Sequence, residues 1–251
     1  MQGWRTIGKW IGGVIGVIAL LLALLLYTPP GLALVARLVS PLSGGTVRVQ
    51  GLGGLFPNRL HVAKLEVADA GGVWLTIDNA ALRWSALAML ADHVSVQEIS
   101  AARITVLRQP IPSGEAGGPT PRLDIENLSF PRIELAAPVI GHAVTLTASG
   151  ALHYTSLNQL EADLAVTRTG NADSYRIKGG ITAGVAHGSA TIREGADGIV
   201  GKLAGLPGLG PINLTAQADG DANANRLFLT LTAGALQAKG QGTIQLAAQR
   251  A

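Results

Sequence analysis

The chain contains no cysteine, so it has neither a disulfide staple nor thiolate chemistry. That absence does not identify a compartment, since exported proteins can also lack cysteine. Aromatic residues make up only 4% of the sequence and charged residues 14%. A compact β-sandwich usually anchors its core with more Phe, Tyr and Trp than this. The net charge is +3, but the basic residues are scattered and no basic run interleaves with aromatics. A nucleic-acid surface is excluded on that ground, and no nucleic-acid partner is expected.

Catalytic patterns are equally scarce. His61, His93, His142, His153 and His187 stand far apart, and none belongs to a two-ligand spacing such as H-x-x-x-H. No G-x-S-x-G elbow is present. The glycines at 51–54 and 205–210 lack the Lys-Ser/Thr and following helix of a phosphate-binding loop. Glu161 and Asp163 project to one face of an expected strand, where a solvated face explains them better than an acid–base pair. No catalytic residue, metal or cofactor is expected, and the chain reads as a non-enzyme.

What the sequence does have is a long uncharged start. No charged side chain falls between Trp10 and Ala36, and residues 11–27 are an apolar run preceded by Arg5 and Lys9. At about 1.5 Å per residue, roughly 20 such residues cross a hydrocarbon core of about 30 Å. The upstream basic residues favour a cytoplasmic N-terminus, and Trp4, Trp10 and Tyr27 suit the two interfaces. A cleaved signal peptide is the alternative. The length of the run and Pro29-Pro30, where a small-residue cleavage site would stand, favour an uncleaved anchor. Gly8, Gly12 and Gly16 form a small-residue stripe that would let a partner helix in the inner membrane approach closely.

These features predict a cytoplasmic N-terminus at 1–9, a single transmembrane anchor at 10–28 and a short amphipathic connector at 29–43. Beyond them the sequence alternates as β-strand does. Expected strands lie at 46–50, 60–67, 73–77, 80–84, 94–99 and 104–107, with a short helix at 85–90. Proline and glycine fill 109–121, and a loop at 111–121 separates the β region 44–110 from an Ala/Gly/Thr-rich β repeat region at 122–251. There the expected strands include 122–128, 144–154, 159–168, 175–186, 199–203, 212–218, 226–233 and 236–247.

The cleanest alternation sets Leu160, Ala162, Leu164 and Val166 against Glu161, Asp163, Ala165 and Thr167. Leu227, Leu229 and Leu231 alternate similarly with Phe228, Thr230 and Thr232. The second half shows no helix able to cover that aliphatic face. Such a sheet must close on itself, pack on a second sheet or hold something apolar.

Several stretches in 44–110 carry a resemblance. They are Gly51-Leu52-Gly53-Gly54-Leu55-Phe56-Pro57-Asn58-Arg59-Leu60, then Asp69-Ala70-Gly71-Gly72-Val73-Trp74-Leu75, then Arg83-Trp84-Ser85, and finally Arg103-Ile104-Thr105-Val106-Leu107-Arg108-Gln109-Pro110. In this order they resemble the N-terminal portion of the TamB family, the inner-membrane subunit of the translocation and assembly module, within the AsmA-like group. The resemblance implies an elongated, curved, taco-like β-sheet with an apolar groove, mainly antiparallel, behind one transmembrane helix. It implies an inner-membrane protein with its bulk in the periplasm, assisting outer-membrane protein assembly and autotransporter secretion, or moving phospholipid between membranes. It also implies membrane lipids as partners, together with an outer-membrane barrel of the TamA or BamA type. That barrel is met through a C-terminal part absent here. Family members are several times longer, so the chain is expected to be a fragment or a naturally short relative.

Leu160, Leu164, Val166, Leu227, Leu229 and Leu231 are the expected lining of a lipid or client groove. Trp74 and Trp84 are expected to be structural packing anchors, and Asp69 before Gly71-Gly72 a turn former. Three other readings stay open: an ordinary sandwich core built from those same leucines, a passive membrane-tethered structural or adhesive β domain, and a membrane-anchored hydrolase whose site the sequence does not display.

Overall fold

The computed structural model describes residues 29–55, 57–85, 93–111, 122–156, 159–196, 198–203, 210–221 and 224–244. The expected span at 10–28 and its glycines Gly8, Gly12 and Gly16 lie outside these residues. So do positions 86–90 of the expected short helix and most of the 111–121 loop. Among the described residues no helix is long and apolar enough to cross a membrane.

Period-two alternation turns the chain into one open, curved sheet of 12 strands in sequence order. The strands are β1 (Val47–Leu55), β2 (Arg59–Asp69), β3 (Gly72–Ser85), β4 (His93–Val106), β5 (Arg122–Leu135), β6 (Val144–Ser156), β7 (Gln159–Arg168), β8 (Ser174–Thr182), β9 (Val185–Glu194), β10 (Ile212–Gly220), β11 (Asn225–Ala233) and β12 (Leu236–Ile244). Every neighbouring pair is antiparallel except β4 and β5, which are parallel. A parallel pair needs a crossover, and the proline-rich stretch after Val106 begins that return from one rim to the other. The sheet therefore runs unbroken through the point where the sequence changes composition.

Among the described residues three helices accompany it: α1 (Pro29–Leu42), α2 (Ala137–Ile140) and α3 (Ile199–Leu203). The rim at which α1 delivers the chain into β1 is called here the start rim. β2, β4, β5, β7, β9 and β11 end at this rim, and α2 and α3 both spring from it. The opposite rim carries the turns between β1 and β2 and between β8 and β9.

Some sequence expectations change on contact with the fold. The separate strands at 73–77 and 80–84 are one strand, β3, because the ladder resumes in the same register on both sides of Asn79, whose φ is 50°. Likewise 94–99 and 104–107 merge into β4. The segment 175–186 breaks at the Ala183-Gly184 turn into β8 and β9. Residues 199–203, expected as strand, form α3, and Ile199 packs onto the sheet instead of pairing within it.

Register divides the side chains into two faces. Val49, Leu65, Ile77, Ile104 and Ile133 follow one another across β1 to β5, and Leu146, Val166, Tyr175, Ile192, Leu214 and Leu231 lie on the same face further along. No second sheet covers this aliphatic face among the described residues. Its one tightly packed patch lies at the start rim, where Ile140 and Ile199 pack on Val144 and Leu146, with Ile133, Val166 and Tyr175 around them. The expectation that no helix covers this face is thus corrected: α2 and α3, too short to show a helical period, cover part of it.

Candidate functional site

Leu160, Leu164 and Val166 on β7 and Leu227, Leu229 and Leu231 on β11 share the aliphatic face, with three strands between them. Those strands contribute small residues at the same level. Ala162 of β7 is followed by Gly179 of β8, Gly188 of β9 and Ala218 of β10. The result is an open hollow of about 480 Å³. Ala162, Gly179, Gly188 and Ala218 form its floor, and Leu160, Ile177, Ile181, Leu227 and Leu229 stand around it. Ile177 is 50% exposed and Leu229 42%, high values for large aliphatic side chains.

The six expected lining residues divide accordingly. Leu160, Leu227 and Leu229 line the hollow. Leu164 lies level with Ile177, and Leu231 level with Leu214, one step nearer the start rim. Val166 lies further in that direction, packed beneath α2 and α3. Sequence reasoning missed Ile177, Ile181 and the glycine floor. The signal available was a glycine inside an alternating strand, which marks a place of close approach.

The other face is polar. His153 pairs with Asp124, Glu161 lies 3.7 Å from His187, and Asp163 lies 3.5 Å from Lys178. A hollow of about 540 Å³ among these side chains backs onto the same Gly179 and Gly188. Exposed pairs of this kind contribute about 0–1 kcal/mol each. Among the described residues no group of three or more His, Cys, Asp and Glu is placed to hold a metal ion.

At the start rim the aliphatic face ends in a polar clamp. Asp173 and Glu194 are each 4% exposed. Asp173 accepts hydrogen bonds from the Gly195 N–H at 2.8 Å, the Asn171 amide at 2.8 Å and Arg168 at 3.1 Å. Burial pushes its carboxyl upward, but these three donors outweigh that and hold it below the ordinary carboxylate range. Glu194 accepts the Tyr175 hydroxyl and the Val200 N–H. Burial, and then this bond to Glu194, push the Tyr175 hydroxyl well above the ordinary tyrosine value.

Asp69 does more than form the expected turn. One of its oxygens takes the Gly71 N–H at 2.7 Å, the other takes the Ile111 N–H at 2.7 Å, and both meet the Arg108 guanidinium. Arg108 also reaches the Gly72 carbonyl at 2.7 Å. This clasp ties the start of the β4–β5 crossover to the β2–β3 turn. The Arg108 hydrogen bond, with help from the Ile111 N–H, holds the Asp69 carboxyl far below the usual range.

The indole N–H of Trp84 donates to the Pro57 carbonyl, bracing the β1–β2 turn against the end of β3. Trp74 lies beside Asp69, Pro110 and Ile111 in a hollow near the end of α1.

No protein-family model, curated protein or solved structure matches the chain.

Proposed function

We propose that the chain is a carrier scaffold whose aliphatic sheet face shields lipid acyl chains or nascent outer-membrane strands from water. The observation that carries this reading is the open hollow itself. Its lining is mostly apolar, no second sheet covers it among the described residues, and Ile177 and Leu229 are left half-exposed. Burying apolar surface contributes about 25 cal/mol per Å², or about 0.8 kcal/mol per CH₂. A saturated chain can therefore be held there without polar contacts and moved along the face with little change in energy.

The resemblance of residues 44–110 to the TamB family supplies the setting we propose. Residues 10–28 anchor the chain in the inner membrane, and the sheet stands in the periplasm as a taco-like groove. The activity is outer-membrane protein assembly, autotransporter secretion or intermembrane phospholipid transport. An outer-membrane barrel of the TamA or BamA type is the partner we propose. On this reading the protein is not an enzyme, and the polar face is a solvated exterior.

A passive structural or adhesive role is the competing reading, favoured by the cross-strand ion pairs that make the polar face self-sufficient. Leu164→Arg and Leu229→Glu separate the two. On the carrier reading, crosslinking of a photoactivatable phospholipid to the purified protein falls several-fold while the circular dichroism and urea midpoint of the sheet persist. Unchanged crosslinking, or none in the parent protein, rejects the carrier reading. Loss of fold in both variants assigns these leucines to a core instead.

A further inference from the structure

On the polar face, one level of the register carries acids and histidines from β5 to β10. Asp124 of β5 lies opposite His153 of β6, and His153 opposite Glu161 of β7. Glu161 is followed by Gly180 of β8, then His187 of β9, then Asp219 of β10. Sequence spacing hid this row, because its two histidines belong to different hairpins.

Gly180 is the break in the row. With no side chain from β8, Glu161 and His187 meet across two strand spacings, about 10 Å of sheet. Glu161 Oε1 lies 3.7 Å from His187 Nε2, too far for a hydrogen bond. Two ligands about 2.0–2.1 Å from one tetrahedral ion stand about 3.4 Å apart, so a cation fits between these atoms after a small shift.

His153 supplies the third group. Its Nδ1 meets the Asp124 carboxylate, which when ionised can only accept, so Nδ1 carries the proton and donates. The neutral ring then keeps its lone pair on Nε2, and a carboxylate on the far nitrogen is the usual outer support of a metal-bound imidazole. As described, the three groups do not close on one point. All are half-exposed, and such side chains change rotamer within nanoseconds. The nearby cations are answered by other carboxylates: Lys178 by Asp163 at 3.5 Å, and Arg226 by Asp221 at 3.2 Å. Asp124, Glu161 and Asp219 thus set a negative field around the two imidazoles.

We propose that His153, Glu161 and His187 bind one divalent transition-metal ion of the kind that imidazole and carboxylate ligands suit, such as Zn²⁺. Asp124 supports the His153 ring and water completes the shell. The ion ties β6 and β7 to β9 across Gly180. It thereby braces, from the polar side, the seam where Gly179 faces Gly188 beneath the apolar hollow. The site stands independently of the carrier reading.

Isothermal titration of the purified protein with Zn²⁺ tests the site, together with urea midpoints. One ion per chain is expected, and saturating Zn²⁺ should raise the midpoint, because an ion held only by the folded chain stabilises it. His153→Gln, Glu161→Gln and His187→Gln should each weaken binding at least tenfold. Asp124→Asn, which disturbs only the support of a ligand, should weaken it about tenfold. His61→Gln, on β2 and outside the row, should bind as the parent does. The parent loaded with one equivalent of Cu²⁺ should show electron-spin splitting from two imidazole nitrogens, a readout that needs no variant to fold. No saturable binding at millimolar Zn²⁺ overturns the site, as does unchanged affinity in any of the three ligand variants. Equal weakening by His61→Gln, or fewer than two coupled nitrogens, overturns it as well.

Discussion

Gly179 of β8 lies directly opposite Gly188 of β9, and neither position has room for a side chain. A Cβ at Gly179 would meet the His187 carbonyl oxygen and the Gly188 Cα; one at Gly188 would meet the Lys178 carbonyl oxygen and the Gly179 Cα. Their φ values of 137° and 131° fall where L residues are strained. This pair forms the floor of the apolar hollow and backs onto the polar one. Gly179→Ala is expected to destabilise the sheet by about 1–3 kcal/mol, the cost of one residue in a disfavoured backbone region. A urea titration followed by circular dichroism measures it, and an unshifted midpoint would mean that the strands simply part there.

Asn225 is 3% exposed at the start of β11 and reaches past β10 to the beginning of β9. Its amide donates to the Gly184 carbonyl at 2.9 Å, and its carbonyl oxygen accepts the Ala186 N–H. Asn225→Ala leaves both backbone groups without that partner, at a cost of about 1–3 kcal/mol. Amide exchange should accelerate most at Ala186; uniform acceleration along the chain would argue against a local staple.

Asp69 gives the stability a pH dependence of known sign. Its folded carboxyl titrates below the ordinary carboxylate value, chiefly because Arg108 bonds to the charged form. The clasp therefore contributes fully above the unfolded value of about 3.9 and is lost as the pH falls toward the depressed folded value. Between about pH 5 and pH 2 the parent protein should lose stability more steeply than Asp69→Asn. Urea midpoints across that range decide it, and parallel curves would remove Asp69 from the acid response.

Ala218 lies in the floor of the hollow, level with Gly188 and Leu227. Ala218→Leu puts a branched side chain into open space, so the sheet should keep its stability to within about 1 kcal/mol, as surface substitutions usually do. Binding of a pyrene-labelled fatty acid should drop several-fold. Undiminished binding would place the ligand elsewhere on the face.

Much of the strand layout was legible without coordinates. The alternation of Leu160, Ala162, Leu164 and Val166 marks β7 to its last residue, and Leu227, Leu229 and Leu231 mark β11. Period-two patterning is local, so it survives without knowledge of partners. Asn79, by contrast, looks like a turn residue, and only pairing with both neighbours reveals that β3 passes through it. Residues 199–203 read as strand because Ile199 and Val200 have high β-propensity, while the packing of Ile199 against Ile140 and Leu146 was invisible.

The sequence by itself determined that this is a cysteine-free, aromatic-poor β chain with one aliphatic face, because composition and alternation depend on neighbouring residues alone. Only the tertiary structure decided what that face becomes. Register brought Ala162, Gly179, Gly188 and Ala218 to one level and so opened a hollow, since pairing across strands is a long-range choice. Folding of the β5–β6 and β9–β10 connections placed Ile140 and Ile199 over one rim of the same face. Among the described residues the apolar contacts of these two short helices end at the start-rim cluster, and no other element covers the rest of the face.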